Sequence, residues 1–409
     1  MEKVYDAIVV GGGPAGSIAS MFLKKAGKHV LLLDKASFPR DKVCGDAQGR
    51  KLARIMRELG IYEDYKTLPG VPIYGIRLSS PNGVQIDMDL IDRQQGTPGY
   101  IVRRMDIDNF LFKKAQAFKV ETRERLAVEE IVFDQQGAVQ ELKCKDLAAG
   151  KEMTLKARIY IAADGADSIF ARKLGLKNPP EHVIVALRAY YKNVEGLRDM
   201  IEIHLLKELN PGYFWIFPLP DKEANVGLGM VVREKNKLGI NLVDELKKAL
   251  AENPLFKERF SQAVLDGGIR AWNLPVASFR RKTWGPNYLL VGDAASLIDP
   301  LSGEGVGTAS ISGKIAAQTA ARTLDTGQIT EASLAEYDRQ LWAEIGHEID
   351  VDYRIQRIGH RYPFLLNRLL GKAAKDPGFR KKFEALLPYA EGKDKIGKWR
   401  FIASLLSPL

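Results

Sequence analysis

Tyr5-Asp6-Ala7-Ile8-Val9-Val10 runs directly into Gly11-Gly12-Gly13-Pro14-Ala15-Gly16, and this junction decides the fold. Residues 5–10 are a short β-branched run that reads as a strand. The glycines mark a turn. Residues 17–26 have helical composition and stop at Gly27, and residues 29–33 are a second apolar strand closing on Asp34. Strand, turn, helix and strand make a βαβ unit. The Gly11-x-Gly13-x-x-Gly16 spacing gives each glycine a task. Gly11 allows the tight turn, Gly13 lets backbone approach a pyrophosphate, and Gly16 lets helix and strand pack closely. A diphosphate placed there meets the free N–H groups and positive dipole end of a helix. Asp34 falls 23 residues after Gly11, where a carboxylate accepts from a ribose hydroxyl. A ligand-free turn in a parallel sheet would leave Asp34 unexplained, so the segment is read as a dinucleotide site.

Outward from this unit, residues 73–90 read as a hairpin turning at Asn82-Gly83. Residues 107–118 read as a helix, and residues 128–134 and 139–144 as a strand pair around Gly137. Residues 158–163 are a buried strand ending at Asp164-Gly165. Residues 183–191, 200–206, 213–218 and 224–232 are strands with no helix between them, which predicts an antiparallel sheet. Residues 241–251 are helical, residues 288–291 are a strand ending in Gly292-Asp293, and helix continues after Gly305. The expected fold is α/β plus antiparallel β. A Rossmann-like nucleotide domain (residues 1–70, 101–180 and 276–325) interleaves with an antiparallel-sheet substrate domain (71–100 and 181–275). A helical C-terminal region (326–409) follows.

The chain has 409 residues, enough for two or three domains. Its two cysteines exclude a disulfide scaffold and cannot alone make a four-ligand zinc site, and the five histidines show no metal-ligand spacing. No metal is expected. The formal charge of +10 is uneven: eleven Lys and Arg against four acids place +7 within residues 361–409. Such a tail implies an anionic partner. Its alternation of basic and apolar residues (Phe379 to Phe383, then Lys398-Trp399-Arg400-Phe401-Ile402) suits an anionic membrane surface. No nucleic-acid module accompanies it, so no nucleic acid is expected. With neither a signal-peptide pattern nor an apolar run of spanning length, the expected location is cytoplasmic, peripheral at the membrane through this tail.

A second nucleotide signal lies some 280 residues after the first, in Leu289-Leu290-Val291-Gly292-Asp293-Ala294-Ala295, followed by Asp299-Pro300-Leu301-Ser302-Gly303-Glu304-Gly305-Val306-Gly307. A strand ending in Gly-Asp can aim Asp293 at a ribityl chain or its phosphates. The Gly303–Gly307 stretch allows close backbone approach, and a helix starting there directs its positive end at a flavin pyrimidine. Together, the Gly11–Gly16 turn, Asp164-Gly165 and Gly292-Asp293 resemble the flavoproteins of the para-hydroxybenzoate hydroxylase fold. Arg104-x-x-Ile107-Asp108-x-x-Leu111 is similar to their internal Arg motif. The resemblance spans roughly residues 4–310. It implies FAD as the bound cofactor, with Arg104 near it.

Two further segments narrow the resemblance to the geranylgeranyl reductase family. Phe38-Pro39-Arg40-Asp41-Lys42-Val43-Cys44-Gly45-Asp46 resembles that family's Lys-x-Cys-Gly segment. Pro211-Gly212-Tyr213-Phe214-Trp215-Ile216-Phe217-Pro218 is similar to its Pro-x-x-Tyr-x-Trp-x-Phe-Pro motif, with one residue fewer between Pro211 and Tyr213. Tyr213, Trp215 and Phe217 alternate, so they share one strand face and can line an apolar slot for a polyisoprenoid tail. The resemblance implies that Cys44 is at the active site, and Lys42 is expected to favour its thiolate. Cys144 reads as structural.

The implied cofactor contacts are Gly11, Gly13, Ala15, Gly16, Asp34, Lys35, Arg40, Cys44, Gly45, Arg104, Asp164, Gly165, Gly292, Asp293, Gly303, Gly305 and Val306. Substrate contacts are Tyr213, Trp215 and Phe217, and the catalytic candidates are Cys44 and Tyr213. The implied activity is hydrogenation of isolated double bonds on a prenylated lipid or isoprenoid. Hydride comes from reduced FAD, a site group supplies the proton, and NADPH or a ferredoxin acts as transient electron donor. A monooxygenase or halogenase of the same fold, or a prenyl-lipid-binding flavoprotein without turnover, is the alternative.

Overall fold

The structure, a computed structural model, describes residues 3–94 and 96–384. One sheet grows from the opening βαβ unit. Val4–Val10 pairs in parallel with Val30–Leu33 on one side and Glu152–Ala162 on the other, with Glu121–Arg123 beyond Val30–Leu33. Tyr288–Leu290 adds in parallel to Glu152–Ala162. Ile8, Val9, Leu31, Leu32, Ile159, Ile161 and Leu289 are fully buried, as strands covered by helices on both faces must be. Glu152–Ala162 is longer than its apolar core suggests. Its first residues turn away to pair antiparallel with Val139–Asp146, which pairs in turn with Leu126–Phe133.

A second sheet of seven strands runs in the order Val264–Pro275, Val183–Lys192, Ala224–Val231, Tyr213–Pro218, Met200–His204, Gly75–Ser79, Gln85–Asp89. It is antiparallel except where Met200–His204 lies parallel to Gly75–Ser79. That junction is the seam where the Gly75–Asp89 hairpin joins strands more than a hundred residues later. The edge strand Val264–Pro275 is not evident from sequence because Gly267-Gly268 reads as a turn. In the fold these glycines fall at a register shift opposite Arg188 and Tyr190, with Gly267 at φ +80°. A small sheet of Ala47–Gln48, Gly99–Val102 and Gly70–Ile73 bridges the two large ones.

The helices Glu331–Arg361, Pro363–Lys375 and Pro377–Glu384 close the described chain. Leu370, Ala373 and Phe383 are buried against the hairpin end of the second sheet, with Phe379 packed beside them. The apolar side of residues 379–383 is therefore occupied by the protein's own core and is not available to a membrane. The later part of the basic tail, including residues 398–402, lies outside the described residues. Among the described residues no helix is long and apolar enough to cross a membrane.

Candidate active site between the two sheets

A single continuous cavity of about 1020 Å³ separates the two large sheets, at the upper end of small-molecule sites. It reaches from Gly11, Asp34 and Lys35 at one end to Gly303, Gly305 and Val306, and onward to Tyr213, Trp215 and Phe217.

The nucleotide side is built from backbone. Gly11 holds φ +105°, and a Cβ there would stand 2.3 Å from the Ala163 carbonyl oxygen. A Cβ on Gly16 would stand 1.9 Å from the Gly11 oxygen. Both positions are closed to any side chain. Gly13 differs: its Cβ would meet only Arg40 Nη2, at 3.5 Å, so its backbone faces the cavity. Helices Pro14–Lys25 and Val306–Thr326 both begin at this cavity with glycine caps, Gly13 and Gly305, and neither has a side-chain capping bond. Their N-terminal N–H groups are available to an anion. The two helices pack so closely that a Cβ on Gly313 would lie 2.4 Å from the Ala15 carbonyl oxygen.

The acids around this wall divide into two kinds. Asp34 accepts from Gly12 N–H at 2.7 Å and Ala36 N–H at 2.8 Å, which fixes the carboxylate at the end of its strand. Asp164 accepts from Ile169 N–H at 2.7 Å through one oxygen, while the other is buried without a partner. Burial pushes its pKa up, and hydrogen bonds from Ser168 and nearby N–H groups offset part of that. An unpartnered acceptor on the cavity wall, beside Gly165 at φ +80°, matches the hydroxyls of a ribityl or ribose chain. The glycine cradle, the two helix ends and this carboxylate together fit FAD.

Arg104 opens the helix Arg104–Ala117 and is buried. Its Nε and Nη2 donate to both oxygens of Asp108, one turn later, at 2.7 and 2.8 Å. Arg40 Nη1 adds a third bond to Asp108 at 3.0 Å. Burial works against the Arg104 charge, but Asp108 and the adjacent Cys44 side chain outweigh it, so its pKa lies above the ordinary arginine value. Arg104 is thus the cation beside Cys44. Lys42, which the sequence offered as the cation favouring the Cys44 thiolate, donates to Asp293 at 3.1 Å.

The sheet side is built from side chains. Tyr213, Trp215 and Phe217 line the cavity, while Phe214 and Ile216 between them are fully buried in a separate cluster behind the sheet. Tyr213 donates its hydroxyl hydrogen to the Ser302 carbonyl, and a Cβ on Gly303 would lie 3.1 Å from that hydroxyl. Burial pushes the phenol pKa well above its usual value, and Asp299 and Cys44 add to this. The Cys44 loop lies against the same strand: a Cβ on Gly45 would meet the Phe217 ring at 3.0 Å. The shortened turn before Tyr213 is accommodated by Gly212, where a Cβ would stand 1.9 Å from the Gly229 carbonyl oxygen.

Sequence reasoning missed the residue that ties the Cys44 loop down. Asp46 is fully buried at φ +67°. It accepts from Arg104 N–H at 3.0 Å, the Tyr190 hydroxyl at 2.8 Å and Asn225 Nδ2 at 2.7 Å. Asn225 also donates to the Cys44 carbonyl at 2.7 Å and accepts from Trp215 Nε1 at 2.9 Å. Burial pushes the Asp46 pKa up to about 6, against the pull of the Asn225 and Tyr190 hydrogen bonds. An acid directly after Cys-Gly was the available signal, but its partners are 144 and 179 residues away.

A Rossmann-like sheet with a glycine cradle, joined to a second, largely antiparallel sheet over a shared cavity, defines an FAD-dependent oxidoreductase. Comparison with known proteins agrees. The family model described as FAD binding domain matches residues 4–340. The chain is 33% identical over 353 residues to the digeranylgeranylglycerophospholipid reductase of Methanocaldococcus jannaschii, covering 85% of this chain and 84% of that one. A geranylgeranyl bacteriochlorophyll reductase-like protein from Thermoplasma acidophilum superposes with a TM-score of 0.84 at 22% identity, covering 98% of this chain and 96% of that one. A flavin-dependent brominase shares the fold with a TM-score of 0.77 at 23% identity, over 99% of this chain and 98% of its own. The chain belongs to the geranylgeranyl reductase family of FAD-binding proteins.

Proposed function

We propose that the protein hydrogenates isolated double bonds in a prenyl chain carried on a lipid or isoprenoid. The observation that carries this reading is the cavity wall of Tyr213, Trp215 and Phe217, held against the Cys44 loop on one side and the Ser302-Gly303 segment on the other. An aromatic face of this length suits an unsaturated hydrocarbon and offers little to a polar substrate. The relative named as a digeranylgeranylglycerophospholipid reductase supports it. The same proposal assigns residues 1–70, 101–180 and 276–325 to FAD binding and residues 71–100 and 181–275 to the substrate.

Bound FAD, when reduced, supplies a hydride. The residues expected as cofactor contacts line the cavity and would hold it, Gly16 excepted, which instead packs against the Gly11 carbonyl and shapes the turn. An isolated alkene has no carbonyl to take up negative charge, so proton delivery must accompany hydride transfer. Tyr213 keeps its proton at Oη because burial disfavours the phenolate. Cys44 lines the same cavity with Arg104 beside it and is the other candidate donor. Positive charge developing on the more substituted carbon would face the rings of Tyr213 and Trp215. NADPH or a ferredoxin is the transient electron donor. Peripheral contact with an anionic bilayer is supported by Tyr362 and Phe364, 45% and 59% exposed at the start of the helix whose Leu366 lines the cavity.

Mass spectrometry of products tests the reading. Anaerobic incubation of dithionite-reduced enzyme with a panel of prenyl lipids is expected to add two hydrogens per reduced double bond. Addition of an oxygen atom or a halogen, dependent on air, would replace reduction by the oxygenase reading. Unchanged lipid throughout would make the protein a carrier.

A further inference from the structure

The sheet wall of the cavity changes character from one edge to the other. Near Met200–His204 it is apolar, with Ile201 and Ile203 facing the cavity. Near Val264–Pro275 it is cationic. Arg188 and Arg270 are directly paired across neighbouring strands, and both end on Asp41. Arg188 Nη2 lies 2.7 Å from each Asp41 oxygen, and Arg270 Nη1 lies 3.0 Å from Oδ2. Two guanidinium groups share one carboxylate. Lys42, the next cation, is already paired with Asp293.

Two donors in this wall have no acceptor. Arg188 is only 3% exposed, and its Nε is buried without a partner. Trp272, two residues from Arg270 and on the same strand face, has a buried Nε1 without a partner. Native interiors rarely leave such groups unsatisfied, and a buried charged donor is the most costly kind. Surplus positive charge and unpaired planar N–H groups in a cavity wall match the recognition pattern of phosphate oxygens.

We infer that Arg188, Arg270 and Trp272 form a receptor for a phosphate-bearing anion, distinct from the diphosphate seat at Gly11–Gly16. The cavity already has its backbone cradle for the cofactor phosphates on the nucleotide domain, whereas these three residues belong to the substrate sheet. The anion has two possible sources of the same chemistry: the head group of a prenyl lipid, or the phosphates of a nicotinamide dinucleotide donor. The inference deepens the reading of the cavity as a prenyl-chain site and rests on it for the first source.

The test begins with binding and needs no turnover. Oxidised, FAD-loaded enzyme is titrated with inorganic pyrophosphate by calorimetry. Saturable binding is expected, weakened roughly tenfold or more in Arg270→Gln and Arg188→Met by loss of a charge-assisted bond. Arg270 is largely exposed, so its variant should fold even if the buried Arg188 variant does not. Two further arms separate the sources. If the head group is the ligand, dithionite-reduced Arg270→Gln shows a raised KM for geranylgeranyl diphosphate and an unchanged KM for geranylgeraniol. If the donor is the ligand, NADPH reduces the variant's flavin more slowly. The inference is overturned if pyrophosphate does not bind, if Arg270→Gln binds it as well as the wild type, or if the variant loses FAD, which would assign these donors to the flavin. Pyrophosphate binding is read without any prenyl substrate, so its failure is distinguishable from failure of the reductase reading.

Discussion

On the nucleotide side of the cavity the ligand-facing surface is backbone, held open by glycines within a few residues of one another. On the sheet side it is made of side chains from strands far apart in sequence. The first wall offers N–H groups, helix ends and the Asp34 and Asp164 carboxylates, groups suited to the phosphates and hydroxyls that every FAD molecule shares.

Substitutions on the two walls should therefore fail differently. The largest effect is expected from Gly11→Ala. Its Cβ would collide with the Ala163 carbonyl in a left-handed conformation, costing on the order of 1–3 kcal/mol in strain alone, with more from the clash. The protein should be purified without flavin absorbance and with a lowered Tm. Gly13→Ala, which opens onto the cavity, should keep its Tm and bind FAD more weakly. Equal behaviour of the two variants would break the assignment of one glycine to the fold and the other to the ligand.

Next in size are Tyr213→Phe and Cys44→Ala. Each is expected to retain FAD and lose turnover, by about 10²–10⁴-fold for the group that transfers the proton. Single-turnover reoxidation of the reduced flavin by a prenyl lipid measures it. Full activity in Cys44→Ala would remove Cys44 from the proton step and leave Tyr213.

A smaller and pH-dependent effect comes from Asp46. Its pKa in the fold is about 6, above the ordinary 3.8. Between those values the folded state holds a proton that the unfolded state has lost, so stability falls as pH rises from about 4 to about 6 and then levels off. The shift amounts to roughly 3 kcal/mol at 1.36 kcal/mol per unit. Urea unfolding across that range should show this slope in the wild type and a flatter one in Asp46→Asn. A flat wild-type profile would mean that Tyr190 and Asn225 already hold the carboxylate ionised at no cost.

The smallest effect separates the two thiols. Cys144 is 2% exposed, and burial pushes its pKa up to about 12, whereas Cys44 lines the cavity. Iodoacetamide at neutral pH should label Cys44 and spare Cys144, and a bound prenyl lipid should protect Cys44. Peptide mapping reads both.

The same contrast explains what could be read from the sequence. Gly11, Gly13, Gly16 and Asp34 act within one βαβ unit, so their spacing carries the geometry. Tyr213, Trp215 and Phe217 were legible because strand alternation is local. Asp46 was not, since its burial depends on Tyr190 and Asn225. Nor were Arg188 and Arg270, which meet Asp41 across separations of 147 and 229 residues. The partner of Lys42 was hidden for the same reason, since Asp293 lies 251 residues away.

The most direct measurement follows the flavin itself. Enzyme with fully reduced FAD is held under strict anaerobiosis and mixed with a geranylgeranyl lipid while the visible flavin band is recorded. The account predicts that the band returns without oxygen, with one flavin reoxidised for each double bond lost. A flavin that stays reduced until air is admitted, with the lipid double bonds intact, would contradict it.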